Sequence, residues 1–327
     1  GPLLLSLFPF LVVSRLLIQC PESDLLALPF RLAAWGIGIR TPCAARVLCI
    51  GFLGGFAPAA SAAAQAVRTG QLTAEEADAL LPACICSGPS FVVLTVGQSL
   101  LGSAELGVLL FASQITANYL TAALLNRFAG VRSVKLGSAA PASPAPPRLD
   151  EILADAAITY CKLCGFILFF RMLAAGAGAL LPADAGTLCS ILLEVCSGCD
   201  LASRTGRWGS LLCCAALSVQ GLSVLLQVRT ICPPEMTLRP LYRARMLHLP
   251  LSLALFYLLL PGGEADVFST LPARVLLMRR VPPDCALLVF AVCCMAVCTL
   301  RSGIRQVEQK QMARNAGGCC INSKTLL

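Results

Sequence analysis

Long apolar blocks separated by short polar turns set the pattern of the chain: Leu3–Gln19, Cys43–Val67, Glu105–Asn126, Leu149–Leu181, Trp208–Val228, Leu241–Leu260 and Asp284–Leu300. Blocks of about 17–25 apolar residues match the hydrocarbon core of a bilayer. Peptide groups cannot be left unpaired in lipid, so these blocks are predicted to be helices. Alternation at period two, the mark of an outer-membrane barrel strand, is absent. The pattern therefore predicts an all-α polytopic membrane protein. Leu3–Cys20 carries no small-residue cleavage site and reads as a mature helix rather than a signal peptide.

Several blocks are interrupted. Gly51, Gly54, Gly55 and Pro58 crowd the middle of Cys43–Val67, a composition that a continuous helix tolerates poorly. Ser87-Gly88-Pro89-Ser90 breaks Pro82–Leu101, and Ser218-Val219-Gln220-Gly221 interrupts Trp208–Val228. Leu25–Ile39, with Pro29 and Arg31, reads as an interfacial or re-entrant piece, and Asp184–Asp200 is too short to span. Thr73-Ala-Glu-Glu76 fits a capping box opening a short helix over Ala74–Leu81.

The breaks recur on both sides of a basic, Pro/Ala-rich stretch. This predicts a first membrane repeat over residues 1–126, a linker over 127–148, a second repeat over 149–300 and a tail over 301–327. In this reading the halves are related and inverted, with glycine-broken helices and re-entrant segments, and Gly54-Gly55 corresponds to Gln220-Gly221. Paired, interrupted apolar segments point to a transporter binding site. Close helix packing, which also uses Gly, Ala and Ser, is the alternative for Gly51–Ala59.

Composition agrees: of 327 residues, 57% are hydrophobic and 13% charged, half the charge of an average soluble protein. The net charge of +8 reflects Lys and Arg at block ends, where they meet lipid headgroups rather than nucleic acid. The linker carries Arg127, Arg132, Lys135 and Arg148 and no acidic residue, so it and the tail are expected in the cytoplasm. Most of the 19 cysteines lie in apolar runs and read as small hydrophobes. Cys161-x-x-Cys164 and Cys196-x-x-Cys199 have metal-like spacing, but a single His in the chain and their place at membrane segments favour packing.

Unwound segments at mid-membrane depth free peptide groups that a ligand, ion or water must satisfy, and half-helix N-termini attract anions. The candidate substrate-binding residues are therefore Gly54, Gly55, Ser87, Gly88, Ser90, Ser197, Gln220, Gly221, Ser223 and Gln227. Glu194 is the candidate ion-coupling group, since an ionisable residue in an apolar segment is costly; its alternative is an interfacial position in water. Arg171 and Lys162 read as snorkelling side chains. No P-loop, dinucleotide fingerprint or metalloprotease helix is present, so no enzyme, cofactor or metal is expected. Uphill movement would draw on a proton or sodium gradient.

Five motifs in order carry a resemblance: Gly51-Phe-Leu-Gly-Gly-Phe-Ala-Pro58, Gly70-Gln-Leu-Thr-Ala-Glu-Glu-Ala77, Cys86-Ser-Gly-Pro-Ser-Phe91, Leu192-Leu-Glu-Val-Cys-Ser-Gly198 and Gln220-Gly-Leu-Ser-Val-Leu-Leu-Gln227. Together they resemble the YlbJ (SpoVV) family of sporulation integral membrane proteins. That family belongs to the nucleoside-recognition, or Gate-domain, group and is similar to concentrative nucleoside transporters. The resemblance implies a carrier of a small organic anion, dipicolinic acid, in the bacterial cytoplasmic membrane, specifically the outer forespore membrane. Its partners would be the bilayer, the solute and a second copy in a homo-oligomer. A nucleoside-type carrier and a non-transporting scaffold of spore-envelope assembly are the alternatives; the scaffold predicts tight packing at the breaks and no central cavity.

Overall fold

A computed structural model of the chain describes residues 2–19, 27–129 and 149–260. Most of the basic linker, the expected Asp284–Leu300 span and the tail lie outside the described residues. Those described are helical, without a strand among them. In order they form α1 (Pro2–Gln19), α2 (Leu28–Gly36), α3 (Pro42–Gly54), α4 (Phe56–Arg68), α5 (Ala74–Cys84), a π-helix (Ser90–Leu100) and α6 (Ala104–Ala129). There follow α7 (Leu149–Leu180), α8 (Ala183–Leu193), α9 (Val195–Ala202), α10 (Gly209–Val219), α11 (Gly221–Ile231) and α12 (Arg239–Leu259).

Among the described residues, three stretches are long and apolar enough to cross a membrane: Ala104–Ala129, Asp150–Leu180 and Gly206–Ile231. Only 17% of the apolar window in Asp150–Leu180 is buried, and Phe169, Met172, Leu173 and Leu180 lie exposed on it. So large an apolar face is stable when lipid covers it. The chain is membrane-embedded.

Polarity runs inward, as a membrane bundle requires. On α6, Val108, Leu120, Leu124 and Phe128 are exposed, while Ser113, Gln114, Asn118, Thr121 and Asn126 are buried. Gln114, Asn118 and Asn126 bond to other segments, while Ser113 donates to Leu110 O within α6. Gln114 Nε2 donates to Ser218 Oγ at 2.9 Å and Cys214 O at 3.2 Å. Asn126 Nδ2 donates to Ile37 O at 2.9 Å and Ala79 O at 3.1 Å. With no water as competitor, such bonds join helices that have no hydrophobic reason to associate.

The helix ends follow local rules with two departures. The Thr73 capping box is complete: Glu76 N–H donates to Thr73 Oγ1 at 3.1 Å and Thr73 N–H to Glu76 Oε2 at 3.2 Å. The helix it opens continues to Cys84, past the expected end at Leu81, with Pro82 inside it. Proline removes one N–H donor and so one intrahelical bond, which does not stop this buried helix. The second departure follows Pro89, where wide π-turns run from Ser90 to Leu100 and let Gly97 lie against Gly107 of α6. A methyl on Gly107 would sit 2.8 Å from Val93 Cα; the small residues permit the contact.

Two helix pairs fold back on themselves. Arg46, near the start of α3, donates to Gln71, just beyond α4, at 2.9 Å and to Ile18 O at 2.8 Å. The chain thus returns, after the break at Gly55, to the end from which α3 began. In α8 and α9, a methyl on Gly198 would sit 2.8 Å from Ile191 Cα, so these two legs also lie side by side. By contrast α10 and α11 run on from one another through Gln220 at φ 61°. Asp78 ties the start of α5 to the start of α12, accepting from Thr237 N–H at 2.8 Å and Leu238 N–H at 3.1 Å.

Candidate functional site

Gly55, at φ 83° and ψ −165°, separates α3 from α4. That region of backbone space is open to glycine and strained for other residues. The absent side chain matters as well: a methyl on Gly55 would lie 2.7 Å from Gly88 N. The tip of the α3–α4 pair therefore rests directly on the unwound stretch between α5 and the π-helix. The other half does the same. Gly221, at φ 70°, has no room for a methyl, which would lie 2.9 Å from Leu193 C and Glu194 N. The α8–α9 tip thus rests on the break between α10 and α11.

Glu194 is the hinge of that second tip. It is 2% exposed, which excludes the interfacial position in water. Its backbone is extended (φ −150°, ψ 124°) and its carboxylate caps α9. Cys196 N–H donates to Oε1 at 2.9 Å; Ser197 N–H donates to Oε2 at 2.7 Å and the Ser197 hydroxyl to the same oxygen at 2.9 Å. A carboxylate at a helix N-terminus is favoured both by the free N–H groups and by the helix dipole. The expected short segment Asp184–Asp200 is thus two helices with an acidic cap between them.

The two breaks are tied to each other. Ile85 O, freed where α5 ends, accepts from Asn118 Nδ2 at 3.4 Å, from Gln220 Nε2 at 3.4 Å and from the Arg245 guanidinium. Arg245 also donates to Ser218 O, freed at the end of α10, at 3.4 Å. Arg245 is buried, and among the described residues it has no carboxylate partner. Its charge instead meets two helix C-termini, the negative ends of their dipoles. His248 Nε2 lies 3.2 Å from Gln114 O one turn further along α12.

Between the tips lies a cavity of about 60 Å³. Gly54, Gly55, Phe56 and Ala57 line it from the first tip; Ser87 and Gly88 from the unwound stretch; Ser90 and Phe91 from the start of the π-helix; Glu194, Val195 and Cys196 from the second tip; and Ile167, Val224 and Gln227 from α7 and α11. Phe56 and Ala57, at the start of α4 where N–H groups lack an intrahelical acceptor, are part of this lining. Gln227, which lines the cavity from α11, keeps Oε1 buried without a partner.

Of the residues singled out from the sequence, Gly54, Gly55, Ser87, Gly88, Ser90, Glu194 and Gln227 come together at this cavity. Ser197, Gln220, Gly221 and Ser223 are not in its lining. Ser197 is held against Glu194. Gln220 turns to Ile85 O, Gly221 supports the second tip, and Ser223 accepts from Gln227 Nε2 at 2.9 Å. Apolar wall residues such as Ile167, Val224 and Cys196 were not singled out. Val224 is legible in retrospect, one turn before Gln227 on the same helix face.

No family model, curated protein or solved structure matches the chain.

Proposed function

We propose that this chain is a membrane carrier of a small organic anion. The observation that carries the reading is the convergence of two helix tips, one from either half of the chain, and the unwound 85–89 stretch on one cavity. Helices unwound inside a membrane leave polar backbone that has to be satisfied, and a solute that moves through can do so in turn. The sequence resemblance supplies dipicolinic acid as the cargo and the outer forespore membrane as the location.

Element order supports two inverted halves. Apart from α2, which has no counterpart between α7 and α8, each half runs long helix, folded-back pair, broken helix, long helix: α1, α3–α4, α5 with the π-helix, α6; then α7, α8–α9, α10–α11, α12. This order pairs Gly55 with Glu194 and the 85–89 stretch with Gln220, a different correspondence from the one the glycines alone suggest. The first folded-back pair begins beside the end of α1, through Arg46 and Ile18. The second begins where α7 ends, with a methyl on Gly186 3.3 Å from Gly178 Cα. Pairs that enter from opposite ends and meet tip to tip suit alternating access about a fixed site. Arg46, Arg68, Arg127, Arg229 and Arg239 lie near helix termini of the first end, which fits a cytoplasmic side.

The cavity has room for about two waters, less than an aromatic dicarboxylate occupies. Cargo binding therefore requires the tips to part. Donors for a carboxylate would come from the start of α4 and from the Ser87 and Ser90 hydroxyls. Glu194, as the ionisable group at the cavity, is the candidate for coupling to a proton or sodium gradient. A nucleoside-type cargo is the second reading, favoured by the acceptors Gln227 Oε1 and Glu194, which suit sugar hydroxyls. Uptake of labelled dipicolinate into proteoliposomes separates the two. Anion carriage predicts saturable uptake that excess uridine leaves unchanged and that Gly55→Leu abolishes. Competition by uridine points to the nucleoside reading, and no uptake of any dicarboxylate removes the cargo.

A further inference from the structure

A second and larger cavity, about 210 Å³, lies between α1, α4, α7 and α11, away from the helix tips. Its wall carries Arg15, Arg68 and Lys162 against a single carboxylate, Asp155, so three positive charges face one negative. Arg15 and Asp155 pair at 2.7 Å, and Arg15 Nη2 donates to Thr159 Oγ1 at 3.3 Å. Among the described residues Arg68 and Lys162 have no carboxylate partner. Two positive charges therefore stand uncompensated around the space.

The buried wall adds an independent observation. Ser61 is 3% exposed, lines the cavity, and its hydroxyl has no hydrogen-bond partner. A serine within a helix commonly bonds the carbonyl four residues back; this one does not. Arg15, 7% exposed, likewise keeps Nε unbonded. A buried donor left without an acceptor is costly, and here two of them surround a space large enough for a group bearing several acceptors.

We propose that this cavity binds a phosphate group. Guanidinium and ammonium donors arranged around a compact space, with a hydroxyl at its base, match the charge and the multiple acceptor oxygens of phosphate. The exposed ends of Arg68 and Lys162 mark its mouth at the termini of α4 and in the first half of α7. Basic pockets between membrane helices take anionic lipid headgroups in this way; free phosphate offers the same chemistry. The site is independent of whether the chain carries a solute.

The test uses purified full-length protein. Native mass spectrometry after reconstitution in mixed phosphatidylglycerol and phosphatidylcholine vesicles reads lipid retention, and thermal unfolding with millimolar inorganic phosphate reads free-anion binding. If the occupant is a lipid headgroup, phosphatidylglycerol stays bound in preference to phosphatidylcholine. Retention then falls about thirty-fold in Arg68→Gln/Lys162→Gln, with two headgroup charges lost. If it is free phosphate, the unfolding temperature rises with phosphate in wild type and not in the double variant. Ser61→Val supplies the buried-wall control: it weakens either occupant while leaving the unoccupied protein as stable as before or more so. Arg204→Gln, whose partner is Asp200, leaves both readouts unchanged. Equal retention of both lipids together with no phosphate shift, or identical behaviour of wild type and the double variant, overturns the proposal.

Discussion

Gly55 does two things that no other residue type can do together. Its backbone sits at φ 83° and ψ −165°, and its α-carbon lies against Gly88 N so closely that a methyl would come to 2.7 Å. Gly55→Ala is therefore expected to cost about 1–3 kcal/mol in backbone strain, with the clash against Gly88 added. The first tip would be displaced from the unwound stretch. Thermal unfolding in detergent should show a clear loss, while Gly70→Ala, also at positive φ but with nothing within 4 Å of the added methyl, should lose less. Equal losses at the two positions would mean that contact with Gly88 contributes nothing. The crowding of Gly51, Gly54 and Gly55 made this position legible in the sequence, because no regular helix uses three glycines in five residues without a reason. Ser223 and Gln220 were singled out on the same grounds but turn to other partners. A motif places a residue near a break; it does not say which way the side chain points.

At the scale of elements, the breaks that glycine makes were readable and the break that a side chain makes was not. Leu192-Leu-Glu-Val195 reads as apolar helix with one costly charge. The fold instead ends α8 at Leu193 and starts α9 at Val195, with the Glu194 carboxylate holding the new N-terminus. The capping box at Thr73 was plain because Thr and Glu stand in their usual positions; a glutamate at the capping position is a weaker signal. This arrangement lets the capping role be separated from the proposed coupling role. Glu194→Ala removes three hydrogen bonds and is expected to destabilise the protein by about 1–2 kcal/mol. Glu194→Asp keeps a carboxylate that still caps, so stability should return nearly to wild type, while the shorter side chain withdraws from the cavity. Measured together, unfolding temperature and gradient-dependent uptake should part company in the aspartate variant: stable, yet impaired in uptake. Full uptake by Glu194→Asp and Glu194→Gln alike would leave Glu194 with the capping role alone.

Across the whole molecule, the direction in which each helix pair enters the membrane decides what the tips can do. The hydrophobic blocks made the helical membrane class legible because lipid permits few backbone solutions. The sequence pattern could not show that Cys43–Val67 folds back while Trp208–Val228 runs on. That difference depends on tertiary contacts: Arg46 reaching Gln71 in one case, and Gln220 reaching Ile85 O in the other. If the α3–α4 and α8–α9 pairs enter from opposite ends, the turns that follow them must lie on opposite sides of the membrane. Gly70, after α4, and Gly206, after α9, both have open space where a side chain would be, so each turn should accept an insertion. A reporter inserted after Gly70 is expected on the cytoplasmic side, where the basic helix ends gather, and the same reporter after Thr205 on the far side. Both reporters on one side would leave the two tips sharing an entrance. The inverted arrangement, and with it alternating access between the tips, would then have no structural basis.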